Sequence, residues 1–256
     1  MIREPKACVV VPCFNEEQRL DGVRVVAFVA AHPEIRLLFV DDGSTDGTAP
    51  LLKRLQEMAP EKGAIEVLVL PHNGGKAEAV RQGMLHAVAM SPAPVYTGFW
   101  DADLATPLDT IPVFHSILEA NPNLSAVFGA RVKLLGRSIE RRLLRHYFGR
   151  IFATVASAVL RIPIYDTQCG AKLFRVDDDL REVLAQPFLS RWIFDVEIVA
   201  RYAQLRRRSP DRPAADQIIY EYPLEQWHDI KGSKLRLHDF LRAAVDLIRI
   251  QRHYKS

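Results

Sequence analysis

The chain has 256 residues, of which 48% are hydrophobic and 25% are charged, and its formal net charge is +3. These values are typical of a globular protein with a real hydrophobic core. The small net charge gives no reason to expect nucleic acid as a partner. The length allows one large α/β domain, or one domain with an appendage.

We expect neither a signal peptide nor a membrane-spanning helix. The polar residues 1–6 run directly into an apolar strand, which is not the pattern of a secretory leader. No window reaches the roughly 18 apolar residues of a spanning helix, so any membrane contact is expected to be peripheral. The cysteines, Cys8, Cys13 and Cys169, lack the spacing of a metal site, and we expect reduced thiols in a cytosolic protein.

Apolar runs of strand type alternate with helical patterns in the first half of the chain. The predicted strands are residues 7–12, 35–40, 65–70, 95–100 and 124–129. One predicted helix begins after Asn15 as its N-cap, and the others cover residues 49–58, the segment from the glycine turn at 73–76 through 90, and 107–120. This alternation predicts an α/β fold with a doubly wound, mostly parallel sheet and helices on both faces.

The fourth predicted strand ends in Asp101 and Asp103, which are separated by one residue. Side chains two residues apart in a strand share a face, and ligands of open α/β sheets bind at the carboxyl ends of the strands. Two carboxylates at such a place are costly unless a cation compensates them, so the spacing indicates a site for a divalent metal that also carries a diphosphate. An acidic strand end or a helix cap is the alternative.

The second half contains a basic segment beside an apolar helix. Residues 131–150 hold seven lysines and arginines against one acid, Glu140, and residues 151–160 are apolar on nearly all sides. This combination is typical of contact with an anionic membrane surface or an anionic lipid. A solvated basic face beside a core helix explains it equally well.

The C-terminal residues predict a basic amphipathic helix. Its apolar stripe is Leu237, Phe240, Leu241, Ala244, Leu247 and Ile248, and its charge comes from Arg236, Arg242, Arg249, Arg252 and Lys255. Such a helix is more often docked on its own domain, and its charge keeps binding to a membrane surface open. We therefore divide the chain into a domain of residues 1–236 and a helix of residues 237–256 packed on or beside it.

Three motifs in the first half resemble those of family 2 inverting glycosyltransferases with the GT-A fold. They are Val-Pro-Cys-Phe-Asn-Glu at 11–16, Val-Asp-Asp-Gly-Ser-Thr-Asp-Gly-Thr at 40–48 and Asp-Ala-Asp at 101–103. Later motifs at 165–174, 194–197 and 227–234 resemble the branch of dolichyl-phosphate β-glucosyltransferases and bacterial polyprenyl-phosphate sugar synthases. The resemblance covers nearly the whole chain and implies that residues 1–236 form a GT-A domain.

The resemblance implies roles for individual residues. The nucleotide-sugar would be bound by Pro12, Asn15, Glu16, Asp42, Lys76, Asp101 and Ala102. Asp101 and Asp103 would hold Mg²⁺ or Mn²⁺, with Asp103 as the principal ligand. The catalytic residues would be Asp166, Asp195, Glu197 and Arg131, with Asp166 at the position proposed for a catalytic base. The acceptor phosphate would be held by Arg131, Lys133, Arg137 and Arg141.

The sequence departs from the pattern at several of these positions. Ala105 replaces a glutamine that follows Asp-Ala-Asp-Leu in mannose-transferring relatives, which weakens a mannosyl interpretation. Ala130 and Ala171 replace a serine and a phenylalanine, and the glycine turn carries an extra glycine. We therefore expect an acceptor pocket of different shape.

Physical chemistry favours a phosphate acceptor independently of the resemblance. A lipid monophosphate has a second pKa of ~6 and is already mostly anionic at neutral pH, so it needs cations more than a general base. A sugar hydroxyl would need a base, which Asp166, Asp195 or Glu197 could supply. The basic excess of residues 131–150 therefore favours phosphate.

We interpret the chain as an inverting glycosyltransferase that moves a hexose, glucose or a relative, from a UDP- or GDP-sugar to a polyprenyl (dolichyl or undecaprenyl) monophosphate. It would act in the cytoplasm, on the cytoplasmic face of the membrane. We also consider that the chain forms a homo-oligomer. One alternative is a soluble family 2 enzyme that acts on a saccharide or small-molecule hydroxyl. Another is a non-catalytic protein that binds sugar nucleotides, against which the intact acidic motifs argue.

Overall fold

The computed structural model describes residues 5–140, 143–209, 211–228 and 237–254. Its strands are β1 (Ala7–Cys13), β2 (Ile35–Asp41), β3 (Ile65–Val69), β4 (Tyr96–Trp100), β5 (Ala126–Ala130), β6 (Ser138–Glu140), β7 (Ala171–Arg175), β8 (Ile219–Pro223) and β9 (Gln226–His228). Its helices are α1 (Gly22–Ala31), α2 (Thr48–Met58), α3 (Lys76–Val88), α4 (Thr110–Ala120), α5 (Leu143–Leu160), α6 (Asp178–Ala185), α7 (Phe194–Arg208), α8 (Ala215–Ile218) and α9 (Leu237–Tyr254).

Seven strands form one sheet in the order β3-β2-β1-β4-β7-β5-β8, and β6 pairs with β9 in a small second sheet. All pairings are parallel except those of β7, which runs antiparallel to both β4 and β5. The predicted mostly parallel α/β sheet is therefore confirmed. The sequence analysis did not predict β7, because Lys172 and Arg175 interrupt its apolar pattern.

Helices cover both faces of the sheet, as predicted, because alternate strand residues point to opposite sides. On one face, Val9 and Val11 pack with Phe28 of α1 and Phe114 of α4. On the other face, Val10 belongs to the cluster formed with α3, α6 and α7. The central strands β1, β4 and β5 are thus buried on both faces.

The C-terminal helix α9 packs against α5 and α7. Its buried side chains are Ala243, Leu247 and Ile250, which meet Ala156 of α5 and Val196 of α7. The predicted apolar stripe is therefore confirmed at Leu247 but wrong at Ala244 and Ile248, which are exposed. Arg236 and Lys255 lie outside the described residues.

The structure corrects the start of two predicted helices. Helix α1 begins at Gly22, where the side chain of Asp21 accepts the backbone N–H of Arg24. Asn15 is not its N-cap, since its φ of 55° lies in the left-handed region and its side chain bonds to the backbone of Thr45. Helix α4 begins at Thr110, three residues later than predicted.

The strand order produces a switch point between β1 and β4. Strand β1 is followed in sequence by β2 on one side, whereas β4 lies on its other side. In doubly wound sheets the loops that leave neighbouring strands diverge at such a point and leave a crevice at the carboxyl edge. Among the described residues no helix is both long and apolar enough to cross a membrane.

Candidate active site

The carboxyl edge of the sheet collects most of the polar residues that the sequence singled out. Loops leave β1, β2, β4 and β5 at this edge, after Cys13, Asp41, Trp100 and Ala130. Because β7 is antiparallel, the segment that enters it also lies here, and Ala171 pairs with Trp100. Asn15, Asp42, Asp101, Arg131 and Asp166 therefore belong to one edge.

Asp101 and Asp103 lie in a tight turn directly after β4. The expectation that they share a face of the strand is wrong, because β4 ends at Trp100. The backbone N–H of Asp101 donates to the carbonyl of Gly170 at 2.8 Å, and a carboxylate oxygen of Asp103 accepts the N–H of Ala105 at 3.1 Å. Leu104, which follows Asp103, takes a left-handed φ of 52°. The turn thus fixes both carboxylates on a rigid backbone.

Gly170 leaves no space for a side chain beside Asp101. A Cβ atom at Gly170 would stand 2.0 Å from the Oδ2 atom of Asp101. The carboxylate therefore rests directly on the backbone that enters β7, and only glycine permits this approach.

Two cations lie near this acidic turn. Lys76, the first residue of α3, forms an ion pair with Asp101. Burial alone would lower the pKa of Lys76, but the carboxylates of Asp101 and Asp195 outweigh it and the pKa is raised. Arg19 pairs with Glu16, and the negative charges of Glu16 and Asp103 both raise the pKa of Arg19. The positive charge of this site comes from two separate loops.

The negative charge of Asp103 is nevertheless only partly compensated. Burial raises the pKa of Asp103, and the nearby charge of Asp101 raises it further, whereas the N–H of Ala105 and the cation of Lys76 oppose this only in part. An ionised carboxylate in that setting is destabilised until a cation approaches. The described residues contain no group of three or more His, Cys, Asp or Glu side chains that could hold a metal by themselves. Two carboxylates fit a Mg²⁺ or Mn²⁺ ion whose other ligands are water and phosphate oxygens.

The residues predicted to line the nucleotide pocket also hold its loops together. Asp42 is almost fully buried, and its carboxylate accepts the N–H groups of Gly74 at 2.7 Å and Gly75 at 2.8 Å. Burial raises the pKa of Asp42 although these two donors oppose the shift. The side chain of Asn15 accepts the N–H of Thr45 at 2.9 Å. These contacts set the shape of the crevice.

The remaining predicted pocket residues surround the same crevice. Glu16 donates its backbone N–H to the hydroxyl of Thr48 at 2.8 Å, which ties the loop after β1 to the start of α2. Pro12 is half-buried within β1, and Ala102 is buried between the two aspartates of the acidic turn. Neither of these two offers a charged group, so any contact with a nucleotide would come from their backbone and apolar surface.

Arg131 and Asp166 form a two-pronged ion pair. The Nε and Nη2 atoms of Arg131 donate to the two carboxylate oxygens at 2.7 and 2.8 Å. The backbone N–H groups of Arg131 and Gln168 donate to the same carboxylate, so four hydrogen bonds occupy its four lone-pair sites. Burial alone would lower the pKa of Arg131, but Asp166 raises it. The guanidinium also lies 5.4 Å from the ring centre of Trp227.

Asp195 is paired with a fully buried lysine. The Nζ atom of Lys172 donates to Asp195 at 2.6 Å and to the carbonyl of Thr167 at 2.9 Å. It also donates to the carbonyl of Cys169 and lies 5.2 Å from the ring centre of Phe99. Because an ammonium group has three donors, Lys172 is saturated, and it binds the loop before β7 to the start of α7.

Glu197 faces an internal network and does not join the acidic turn. Its carboxylate accepts the N–H of Leu189 at 2.8 Å, the hydroxyl of Tyr254 at 2.8 Å and the guanidinium of Arg201 at 2.8 Å. The side chain has no exposed surface. Although Glu197 is only two residues from Asp195, it points to the opposite side of the helical turn. The expected acidic pair is therefore not one site.

The predicted basic cluster is only partly brought together. Arg137 pairs with Glu225 at 2.7 Å, and Lys133 is exposed on the loop after β5. Arg141 lies outside the described residues. Of the described members, Arg131 alone is in direct contact with another predicted catalytic residue, Asp166.

The sequence analysis assigned no role to several residues of the site. Gly170 and Lys172 lie within the motif at 165–174, but the motif alone did not indicate that Gly170 contacts Asp101 or that Lys172 pairs with Asp195. Glu221 accepts the N–H groups of Tyr165 and Asp166 at 2.7 and 2.8 Å and so holds the loop of Asp166 from β8. Arg19 had a local signal in its spacing of three residues from Glu16. Arg191 reaches the glycine turn at 73–75 from a loop far away in the sequence, and no local pattern could have indicated this.

The sequence also matches a known protein family. The sequence model of glycosyl transferase family 2 matches residues 8–181, which include the acidic turn, the glycine turn and the loop before β7. The chain belongs to glycosyl transferase family 2. The match covers more than half of the chain and ends within α6, so it does not include α7 or α9.

Curated relatives extend the family assignment to nearly the whole chain. The dolichyl-phosphate beta-glucosyltransferase of Drosophila melanogaster is 31% identical over 268 residues, covering 96% of this chain and 74% of the relative. That of Dictyostelium discoideum is 30% identical over 261 residues, with 96% and 74% covered. The family 2 chain thus belongs to the branch that these relatives represent.

A solved structure shares the fold. Glucosyl-3-phosphoglycerate synthase from Mycobacterium tuberculosis, in complex with Mn²⁺, UDP and glucosyl-3-phosphoglycerate, superposes with a TM-score of 0.66 at 16% identity. The superposition covers 98% of this chain and 80% of that one. This supports the GT-A-like α/β fold of the family 2 chain.

The partly compensated charge of Asp103 predicts that Asp103→Asn stabilises the protein without divalent cations. The pKa of Asp103 is raised in the folded state, so its ionised form lowers stability at pH 7, and the gain from Asn should vanish as the pH falls toward 3.8. Thermal unfolding in the presence of a chelator measures this.

Asp46→Asn is the control of opposite sign. The hydroxyl and N–H of Thr48 hold the pKa of Asp46 below its usual value, so its ionised form adds stability at pH 7 and the amide should reduce it. A lower melting temperature for Asp103→Asn than for the unsubstituted protein would contradict the electrostatic account of the acidic turn.

Proposed function

We propose that this family 2 protein transfers a hexose from a nucleotide-sugar to the phosphate of a polyprenyl monophosphate. The curated relatives are named for glucosyl transfer to dolichyl phosphate, which supports both the lipid acceptor and glucose as the sugar. The donor would be a UDP- or GDP-sugar. The transfer would invert the anomeric configuration and give the β-linkage that the relatives' names state.

The choice of acceptor rests on one observation: the carboxylates that could serve as a catalytic base already have hydrogen-bond or ion-pair partners. Asp166 already accepts four hydrogen bonds, Asp195 is paired with Lys172, and Glu197 lies within an internal network. A hydroxyl acceptor needs a base to take its proton. A phosphate monoester with a second pKa of ~6 is already ionised at neutral pH and needs none. The site therefore suits a phosphate nucleophile better than a hydroxyl.

The donor end of the site would be the acidic turn. Asp101 and Asp103 would hold Mg²⁺ or Mn²⁺, which when bound would neutralise the charge that develops on the leaving diphosphate. Lys76 and Arg19 already stand beside these carboxylates and would add positive charge for the same diphosphate. Asp42 and the glycine turn would form the wall of the nucleotide pocket.

The acceptor end would be Arg131. Its guanidinium is oriented by Asp166 and lies against Trp227, so its position is fixed before a ligand binds. Asp166 takes the Nε donor and one Nη2 donor, and the Nη1–Nη2 side of the planar group would meet two phosphate oxygens. Asp166 would then act as the residue that orients Arg131, and Lys133, Arg137 and Arg141 would add charge around it.

We also propose that the protein works on the cytoplasmic face of a membrane, seated through the exposed face of α9. Val245 and Ile248 are 65% and 49% exposed, and Arg242, Arg249 and Arg252 are exposed on the same side of the helix. An apolar strip among arginines complements an anionic bilayer surface. A lipid-borne acceptor would be met at such a surface.

Transfer into lipid tests the proposed reaction. Purified protein with Mn²⁺ or Mg²⁺, a short polyprenyl phosphate and a labelled UDP- or GDP-sugar should move label into the organic phase. Asp103→Ala should reduce the rate about a hundredfold or more, since the metal site is lost, and a chelator should act likewise. Asp109→Ala, an exposed aspartate six residues further on, should retain activity. With 3-phosphoglycerate added as a competing water-soluble acceptor, label found only on that compound would contradict the lipid acceptor.

Substitution of Arg131 tests the acceptor end. Arg131→Lys keeps the charge but loses the two-pronged geometry, so the KM for polyprenyl phosphate should rise about tenfold while the KM for the donor changes little. Arg36→Lys is the matched control, because Arg36 is also paired with a carboxylate, that of Glu66, but lies at the other edge of the sheet. Equal increases in both KM values would argue against Arg131 as the acceptor-phosphate residue.

The membrane seat has its own test. Val245→Asp with Ile248→Asp should weaken binding to vesicles that contain anionic lipid by about tenfold or more, because two apolar side chains no longer enter the interface. Val23→Asp changes a valine of α1 that is 82% exposed and should have no effect. Sedimentation with vesicles measures both, and unchanged binding by the α9 variant would rule out this face.

A further inference from the structure

The glycine turn, residues 73–75, is gripped from two sides. On one side Asp42 accepts the N–H groups of Gly74 and Gly75. On the other side Arg191 donates from Nε to the carbonyl of Gly74 at 2.9 Å, and from Nη2 to the side-chain oxygen of Asn73 at 2.9 Å and to its carbonyl at 3.2 Å. The donors of the turn are thus held by a carboxylate and its acceptors by a guanidinium.

The guanidinium packs directly on the turn. A Cβ atom at Gly75 would stand 2.7 Å from the Nε atom of Arg191. Gly75 also has a φ of 88°, which glycine adopts without strain. Gly75 therefore lets the guanidinium of Arg191 approach the backbone that the carboxylate of Asp42 holds from the other side.

Arg191 is presented by a loop that is itself fixed. The hydroxyl of Ser190 donates to Asp246 of α9 at 2.7 Å and accepts the N–H of Ile193 at 3.0 Å. The carboxylate of Glu197 accepts the N–H of Leu189 from within α7. The loop is therefore anchored on both α7 and α9, and the internal network of Glu197 helps to hold it in place.

What the turn controls is the position of Lys76. Gly75 is the N-cap of α3 and Lys76 is its first residue, so a shift of the turn moves the ammonium group that pairs with Asp101. We propose that Arg191 is a positioning residue for donor binding. This inference rests on the proposed function, in which Lys76 meets the donor diphosphate. Arg191 sets the glycine turn and, through it, Lys76, while touching neither the reacting atoms nor the acceptor.

The test separates donor from acceptor. Arg191→Ala should raise the Kd for UDP or GDP with Mn²⁺, and the KM for the donor sugar, by about tenfold, because three hydrogen bonds that order the turn are lost. The KM for polyprenyl phosphate and the melting temperature should change little, since the side chain is exposed. Arg191→Lys keeps the charge without the fork and should recover only part of the affinity. Arg208→Ala, at the exposed far end of α7, is the matched control and should bind nucleotide normally.

The outcomes distinguish this inference from the proposed function. Unchanged nucleotide affinity in Arg191→Ala, while the unsubstituted protein binds nucleotide, would overturn the positioning role alone. A rise confined to the KM for the acceptor would also overturn it. Failure of the unsubstituted protein to bind either nucleotide would overturn the proposed function and this inference with it.

Discussion

The site depends on one reversal of strand direction. Strand β7 runs antiparallel between β4 and β5, so the segment that enters it lies at the edge where those two strands leave. Gly170 in that segment supports Asp101, and Asp166 orients Arg131. Lys172, the second residue of the strand, joins the carbonyls of Thr167 and Cys169 in the same segment to the carboxylate of Asp195. A parallel strand in this position would have delivered these groups to the opposite edge.

Pairing of charges explains why so many ionisable groups can share this edge. Burying a lone charge is costly, and breaking a buried pair is worse than never forming it. Lys76 with Asp101, Arg131 with Asp166 and Lys172 with Asp195 answer this requirement. Asp103 is the member whose charge is least compensated, and this is where a divalent cation and a diphosphate would complete the balance.

Sequence reasoning predicted the sheet and its donor loops because those signals are local. A buried strand followed by polar residues is visible in Val40–Asp42 and in Trp100–Asp103. It missed β7 because Lys172 and Arg175 interrupt the apolar pattern of that strand. It missed the contacts of Gly170 with Asp101 and of Arg191 with the glycine turn because each joins residues far apart in the chain. It misplaced Glu197, because adjacency in a motif does not state which way a helical side chain points. It also misjudged the exposed face of α9, where exposure depends on how α7 and α5 pack against it.

The central claim is that Asp101 and Asp103 form the metal and donor end of the site. Anomalous scattering from Mn²⁺ in crystals grown with UDP- or GDP-sugar tests it most directly. The account predicts one strong peak in contact with the carboxylate of Asp103 and with the diphosphate, and Lys76 beside the same diphosphate. A manganese peak away from the acidic turn, with nucleotide bound elsewhere, would contradict it.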